Sequence, residues 1–167
     1  MDRLFLETKL LADSATGAVS GIAWKFGSPD RIGDVILPGA FKKAVMPIPM
    51  LFGHDLSDPV GTWDVATEKT DGLHLSGKML VNDVVRAREV FALVQSGAAK
   101  GMSIGFITKK ARSLPGGGRE ISDLELLEAS IVTVPMHPGA RVTSAKSAVQ
   151  ALALVAALNR ATAQLKG

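Results

Sequence analysis

The chain has no cysteine and no tyrosine, and only three histidines. Without cysteine there are no disulfides, no thiolate metal sites and no cysteine nucleophile. Aromatic residues are scarce as well. Two tryptophans and six phenylalanines in 167 residues leave little surface for stacking on nucleobases. Long apolar runs are missing: the longest, Ala151 to Leu158, is far too short to span a bilayer, so a membrane is not an expected partner. Acids interrupt the opening Met1-Asp-Arg-Leu-Phe-Leu-Glu7, which does not read as a signal peptide, and a cytoplasmic location is expected. Excess charge is confined to one end. The net +3 sits on Lys146, Arg160 and Lys166, and the chain before them balances its acids and bases. A neutral body does little to neutralise phosphates, so nucleic acid is not an expected partner either.

What is present is the composition of a globular protein, 47% apolar and 21% charged, in a chain long enough to bury its own core. The composition shifts once, near residue 144. Residues 145–167 are rich in alanine and hold no proline, and no glycine before Gly167. Within them Ala151, Leu154, Val155, Leu158, Ala161 and Leu165 recur at helical spacing, and Ser147 with Gln150 has the spacing of a capping box. This predicts a C-terminal helical tail whose apolar stripe packs on the body, on a partner, or on a copy of itself.

The body, residues 1–144, reads mostly as strands. Val19–Phe26 alternates after a turn-rich stretch, and Trp63–Lys69 with Leu73–Val81 forms a hairpin around Thr70-Asp71-Gly72. Met102–Ala111 and Arg119–Val134 flank the turn residues Pro115-Gly-Gly-Gly118. Two helices are expected between strands. A short one lies near Ala40–Val45, stopped by Pro47. A longer one runs from about Asp83 to Ser96, with Asn82 as its N-cap, Val84, Ala87, Phe91 and Val94 inward, and Gly97 as its end. The expected class is α+β: a β-rich, barrel-like domain with flanking helices, plus the helical tail.

Three residues carry candidate chemistry. Gly101-Met-Ser103-Ile-Gly105 fits G-x-S-x-G, but the residues after Ser103 continue as a strand where a hydrolase elbow needs a helix. Ser103 is therefore either a nucleophile at the start of a strand or a serine in a glycine-flanked bend. His54 ends the apolar run Pro49–Phe52 and precedes a polar loop, a good place for a general base and equally for a packing histidine. The pair His54-Asp55 also opens the pattern of metal-dependent phosphohydrolases, whose further His and Asp ligands the chain lacks, so no metal and no other cofactor is expected. His74 shares a strand face with Ser76 and Lys78, which predicts a solvated side chain. His137 lies in a turn between Pro135 and Pro138. Alternation puts Leu124, Leu126, Glu128, Ser130, Val132 and Val134 on one face of a long strand. A carboxylate there needs a partner, either an arginine or a histidine whose tautomer it fixes. Taken together, Ser103, His54 and Glu128 supply the nucleophile, base and orienting group that acyl transfer requires.

The order of several signatures resembles the prohead maturation proteases of tailed phages with Hong Kong 97-type capsids, relatives by fold of herpesvirus assemblin. They are Asp30-Arg-Ile-Gly-Asp34-Val-Ile-Leu-Pro38-Gly-Ala-Phe41, Met50-Leu-Phe-Gly-His54-Asp55 with Pro59-Val-Gly61, Leu73 with Ser76-Gly77, Gly101-Met-Ser103-Ile-Gly-Phe106, and Leu127-Glu128-Ala-Ser-Ile-Val-Thr-Val-Pro135. The resemblance spans roughly residues 17 to 143. It implies a herpesvirus-protease-like fold and a serine endopeptidase with His54 as base, Ser103 as nucleophile and Glu128 as third member. In the herpesvirus relatives that third member is a second histidine. The implied partners are the major capsid protein, through its scaffolding segment, or a scaffold protein. The implied setting is the host cytoplasm, inside the assembling procapsid, with self-cleavage commonly following. The tail would then target the protease to scaffold or be removed on activation. Backbone amides or Arg141, which follows the last expected strand, are the candidate oxyanion donors. Two other readings compete: a non-catalytic capsid-assembly or scaffold-binding protein, and a small serine esterase.

Overall fold

In the computed structural model, which describes residues 16–146, the alternating stretches become eight strands and one helix among the described residues. Strand β1 (Ala18–Lys25) is followed by the short β2 (Val35–Ile36), then β3 (Ile48–Phe52), β4 (Pro59–Lys69) and β5 (Gly72–Met79). Helix α1 (Val85–Ser96) leads into β6 (Gly101–Ser113), β7 (Arg119–Val132) and β8 (Arg141–Lys146). Neighbouring strands run β2-β7-β3-β4-β5-β1-β8-β6, and β6 also pairs with β7. That last pairing closes the sheet on itself, so the architecture is the barrel-like, β-rich one expected. A closed sheet satisfies the backbone groups that an open edge would leave unpaired.

The barrel is filled by the residues that strand alternation points inward. Met50, Trp63, Leu73, Leu75, Met79, Met102 and Ile131 are all fully buried. Trp63 also spends its one polar group well: its indole N–H donates to the Ala129 carbonyl at 2.9 Å, tying β4 to β7. Both expected hairpins form. Lys69 pairs with Gly72, so the first has a two-residue loop, Thr70-Asp71, and Gly72 already belongs to β5. The second joins β6 to β7 through an exposed tip.

Three expectations are corrected. Ala40–Val45 is not a helix but a chain of tight turns, with Ala40 bonding to Leu37, Lys42 to Gly39 and Ala44 to Phe41. Each spans three residues, and the Glu68 carboxylate takes the N–H groups of Gly39 and Phe41 at 2.7 and 2.8 Å. All of these backbone bonds reach back three residues, and Pro47, which has no N–H, follows too closely for an α-helical ladder to build. Helix α1 buries Ala87, Val90, Phe91 and Val94 and ends at Gly97, whose φ of 80° is the left-handed cap expected of glycine. Its N-cap, however, is Val84 rather than Asn82, because residues 81–83 form a turn first.

The third correction concerns β7. A register shift opposite Gly105 and Phe106 changes the phase of that strand. Leu124 and Leu126 join the core before it, Ala129 and Ile131 after it, so Glu128 and Ser130 lie on the opposite face and not on one apolar face with the leucines. The predicted tail helix, residues 151–165, lies outside the described residues. Ala145 and Lys146, placed with the tail from composition, are the end of β8.

Candidate active site

Strand β7 has antiparallel β6 on one side and parallel β3 on the other. Ser103 of β6 faces Ser130 of β7, and Gly105 faces Glu128. Residues paired across antiparallel strands project to the same side, as do residues two apart in one strand, so Ser103, Glu128 and Ser130 share one face. Strand β3 delivers the histidine. It ends at Phe52, and Gly53 and His54 then turn with φ of 66° and 63°. For His54 this left-handed backbone is a conformation that non-glycine residues adopt rarely and at a cost of about 1–3 kcal/mol. Its surroundings hold it there: Gly53 N–H donates to Ile131 O at 3.0 Å, and His54 N–H to Ser130 Oγ at 3.1 Å.

The side chains then close a small network. His54 Nδ1 lies 2.7 Å from Glu128 Oε1, and the Ser130 hydroxyl donates to Glu128 Oε2, also at 2.7 Å. The Glu128 side chain is 7% exposed and that of His54 43%. A nearly buried carboxylate thus faces an imidazole that reaches solvent. With Nδ1–H given to the carboxylate, Nε2 is the nitrogen left to take or give a proton. The hydrogen bond to Glu128, reinforced by its charge and opposed by partial burial, raises the His54 pKa above the ordinary imidazole value near 6.5. Gly105 makes room for this arrangement: a Cβ at that position would collide with Glu128 Oε1. The second glycine of the G-x-S-x-G stretch is therefore explained by Glu128 and not by a turn.

Ser103 is buried, at 6% exposure. The structure brings it onto the same face as Glu128, but among the described residues no hydrogen bond joins Ser103 to His54. Ser103 also lines a cavity of about 30 Å³ with Trp24, Asp30, Ile104, Phe106, Met136 and His137. The Asp30–Asp34 signature braces this cavity. Asp30 Oδ1 accepts the N–H groups of Ile32 and Asp34, each at 2.9 Å. Arg31 donates through its backbone N–H to Met136 O at 3.2 Å and through Nε to Pro135 O at 3.1 Å. Buried Asp34 in turn binds the Arg119 guanidinium and backbone N–H.

Among the described residues, the other expected ones make no hydrogen bond to His54, Glu128 or Ser103. His74 is not solvated alone but pairs with Asp71 at 2.8 Å, and the imidazole lowers the Asp71 pKa. His137 is buried edge-on against Trp24, accepting Gly139 N–H at Nδ1 and facing Ser28 O through Nε2. Arg141 opens β8 opposite Gly101, with an exposed side chain that makes no bond to Ser103. Alternation places Ser130 two residues from Glu128 on the same face, but a serine within a strand carries no local signal of a role. Among the described residues no group of three or more His, Asp and Glu side chains could hold a metal ion.

A serine on the same face as a buried carboxylate that bonds an imidazole belongs to a set of groups suited to nucleophilic chemistry. The barrel that carries it has a known counterpart. It is similar to Kaposi's sarcoma herpesvirus (KSHV) protease solved with a hexapeptide phosphonate inhibitor, with a TM-score of 0.53 at 13% identity over 75% of this chain and 63% of that one. The likeness at that identity is one of fold. The sequence goes further: the caudovirus prohead serine protease family matches residues 5–154, and the chain belongs to it. It is 34% identical over 148 residues to the prohead protease of Enterobacteria phage HK97, covering 84% of this chain and 65% of that protein. It is 35% identical over 149 residues to the capsid polyprotein of Pseudomonas phage PAJU2, covering 85% of this chain and 22% of that one. With the prohead protease of Escherichia phage T5 it shares 34% over 132 residues, 72% of this chain and 59% of the other. The chain spans less than two thirds of the length of each of these relatives.

Proposed function

We propose that this chain is a serine endopeptidase of phage capsid maturation, with Ser103 as nucleophile, His54 as general base and Glu128 as the group that orients the base. The observation that carries the reading is the 2.7 Å contact of His54 Nδ1 with Glu128, one strand away from Ser103, in a chain of the prohead protease family. In the reaction, Ser103 Oγ attacks the scissile carbonyl while its proton passes to His54 Nε2. Glu128 keeps the imidazole in the Nδ1–H tautomer and stabilises the imidazolium. His54 then gives the proton to the leaving amine, and water releases the acyl group by the same route in reverse. Catalytic hydrogen bonds are commonly long until substrate is seated, so the Ser103–His54 bond belongs to the substrate complex.

The substrate in this reading is the major capsid protein, at a scaffolding segment, or a separate scaffold protein, cut within the assembling procapsid in the host cytoplasm. The experiment is co-expression of the chain with its major capsid protein, followed by intact mass spectrometry, with Ser103→Ala as control. A defined truncation of the capsid protein, present only with the wild type, is expected. Full-length capsid protein in both samples, despite assembled shells, would favour a non-catalytic assembly role. Hydrolysis of short acyl esters without capsid cleavage would favour a small esterase.

A further inference from the structure

Ser130 is fully buried near the C-terminal end of β7, with Leu51 of β3 on one flank and Ser103 of β6 on the other. A buried hydroxyl needs partners, and this one uses its donor and an acceptor at once. The carboxylate can only accept, so Ser130 donates to Glu128 Oε2 at 2.7 Å. The amide can only donate, so Ser130 Oγ accepts His54 N–H at 3.1 Å. One hydroxyl therefore bonds both halves of the His54–Glu128 pair and makes no hydrogen bond to Ser103.

We propose that Ser130 is the positioning residue of this site, a single hydroxyl that fixes the Glu128 carboxylate plane and the left-handed turn at His54 together. The inference rests on the reading of His54 and Glu128 as base and orienter. A glutamate carboxylate turns easily about its last torsion, whose energy wells are broad. Here its two oxygens are divided, Oε1 to His54 and Oε2 to Ser130, so the plane that meets the imidazole is set. The imidazole is set from the other end, because the unusual backbone that aims it is anchored by its own N–H on the same oxygen. No neighbouring carboxylate substitutes for this arrangement. Asp55 is turned to Ser57 and Asp58 to Arg86. Ser130 is not itself the nucleophile, since its proton is committed to Glu128 and its oxygen is closed to solvent.

The test uses Ser130→Ala and the nearly isosteric Ser130→Cys, which keeps the packing and weakens both hydrogen bonds. The first readout needs no substrate: the imidazole Nδ1–H proton of His54, observed by NMR in the folded full chain. In the wild type this proton, held between ring and carboxylate, is expected as a sharp downfield signal, assigned by its loss in Glu128→Gln. In both Ser130 variants it is expected to move upfield and broaden. The second readout is cleavage of the capsid protein, where kcat is expected to fall by about 10²-fold with KM retained. An unchanged Nδ1–H signal in either folded variant overturns the inference, as does a fall in activity that simply follows lost thermal stability. If the wild-type chain cleaves nothing, the peptidase reading fails while the NMR result still decides whether Ser130 positions the pair.

Discussion

His54 holds its proton more tightly in the folded chain than in the unfolded one, because Glu128 binds its imidazolium form. Two consequences follow with definite sign. The contribution of this pair to stability is complete below the unfolded imidazole value near 6.5, and fades as pH rises through the higher folded value. Activity runs the other way, since a general base must be neutral. The acid limb of kcat/KM is therefore expected above pH 6.5 in the wild type. Glu128→Gln should bring that limb down towards the ordinary value and cut turnover by about 10²–10⁴-fold. A pH–rate profile of both proteins checks each part. The side chains of the proposed site were conspicuous by residue type: scarce histidines drew attention to His54, and a carboxylate on the Leu124–Val134 face of a long strand drew attention to Glu128. What residue type did not disclose was the role of the hydroxyl between them. Nothing local distinguishes Ser130 from the other serines of the chain, and only its position between two neighbouring strands gives it a role.

The elements show where alternation suffices and where it misleads. Helix α1 was legible because four apolar residues at helical spacing ended in a glycine. The turns near Ala40 were not, because the carboxylate that anchors them at Gly39 and Phe41 comes from Glu68, far along the chain in β4. The phase of β7 was also hidden. The apolar positions switch from Leu124 and Leu126 to Ala129 and Ile131 across the Leu126-Leu127 doublet, but the bulge itself is a matter of pairing with β6. The link between β2, β7 and the preceding loop depends on Asp34, a buried carboxylate that collects three donor groups of Arg119. Arg119→Met removes the guanidinium donors and leaves the backbone one. A loss of about 1.5–3 kcal/mol is expected, the usual worth of hydrogen bonds to a charged group, with the lower end favoured by the half-exposed arginine. Urea unfolding of the two proteins measures it.

At the scale of the whole molecule, the site is a property of barrel closure. His54 comes from the first third of the chain, Ser103 and Glu128 from beyond the helix, and only the β3–β7–β6 alignment brings them to one face. The β-rich class and a barrel were readable from strand spacing. The order of strands was not, since parallel pairing of β3 with β7 joins segments nearly eighty residues apart. The exposed tip between β6 and β7, around Gly116, divides that alignment in a particular way. A chain opened there leaves the serine and imidazole on one fragment and the carboxylate with its tethering hydroxyl on the other. Neither piece alone has a complete set, so cleavage of capsid protein is expected only when both are supplied together. Mixing separately purified halves and titrating one against the other would reveal a saturable return of activity. Ser103 with His54, and Glu128 with Ser130, would then behave as two subunits of a reconstituted enzyme, joined in the native chain by nothing more than a hairpin.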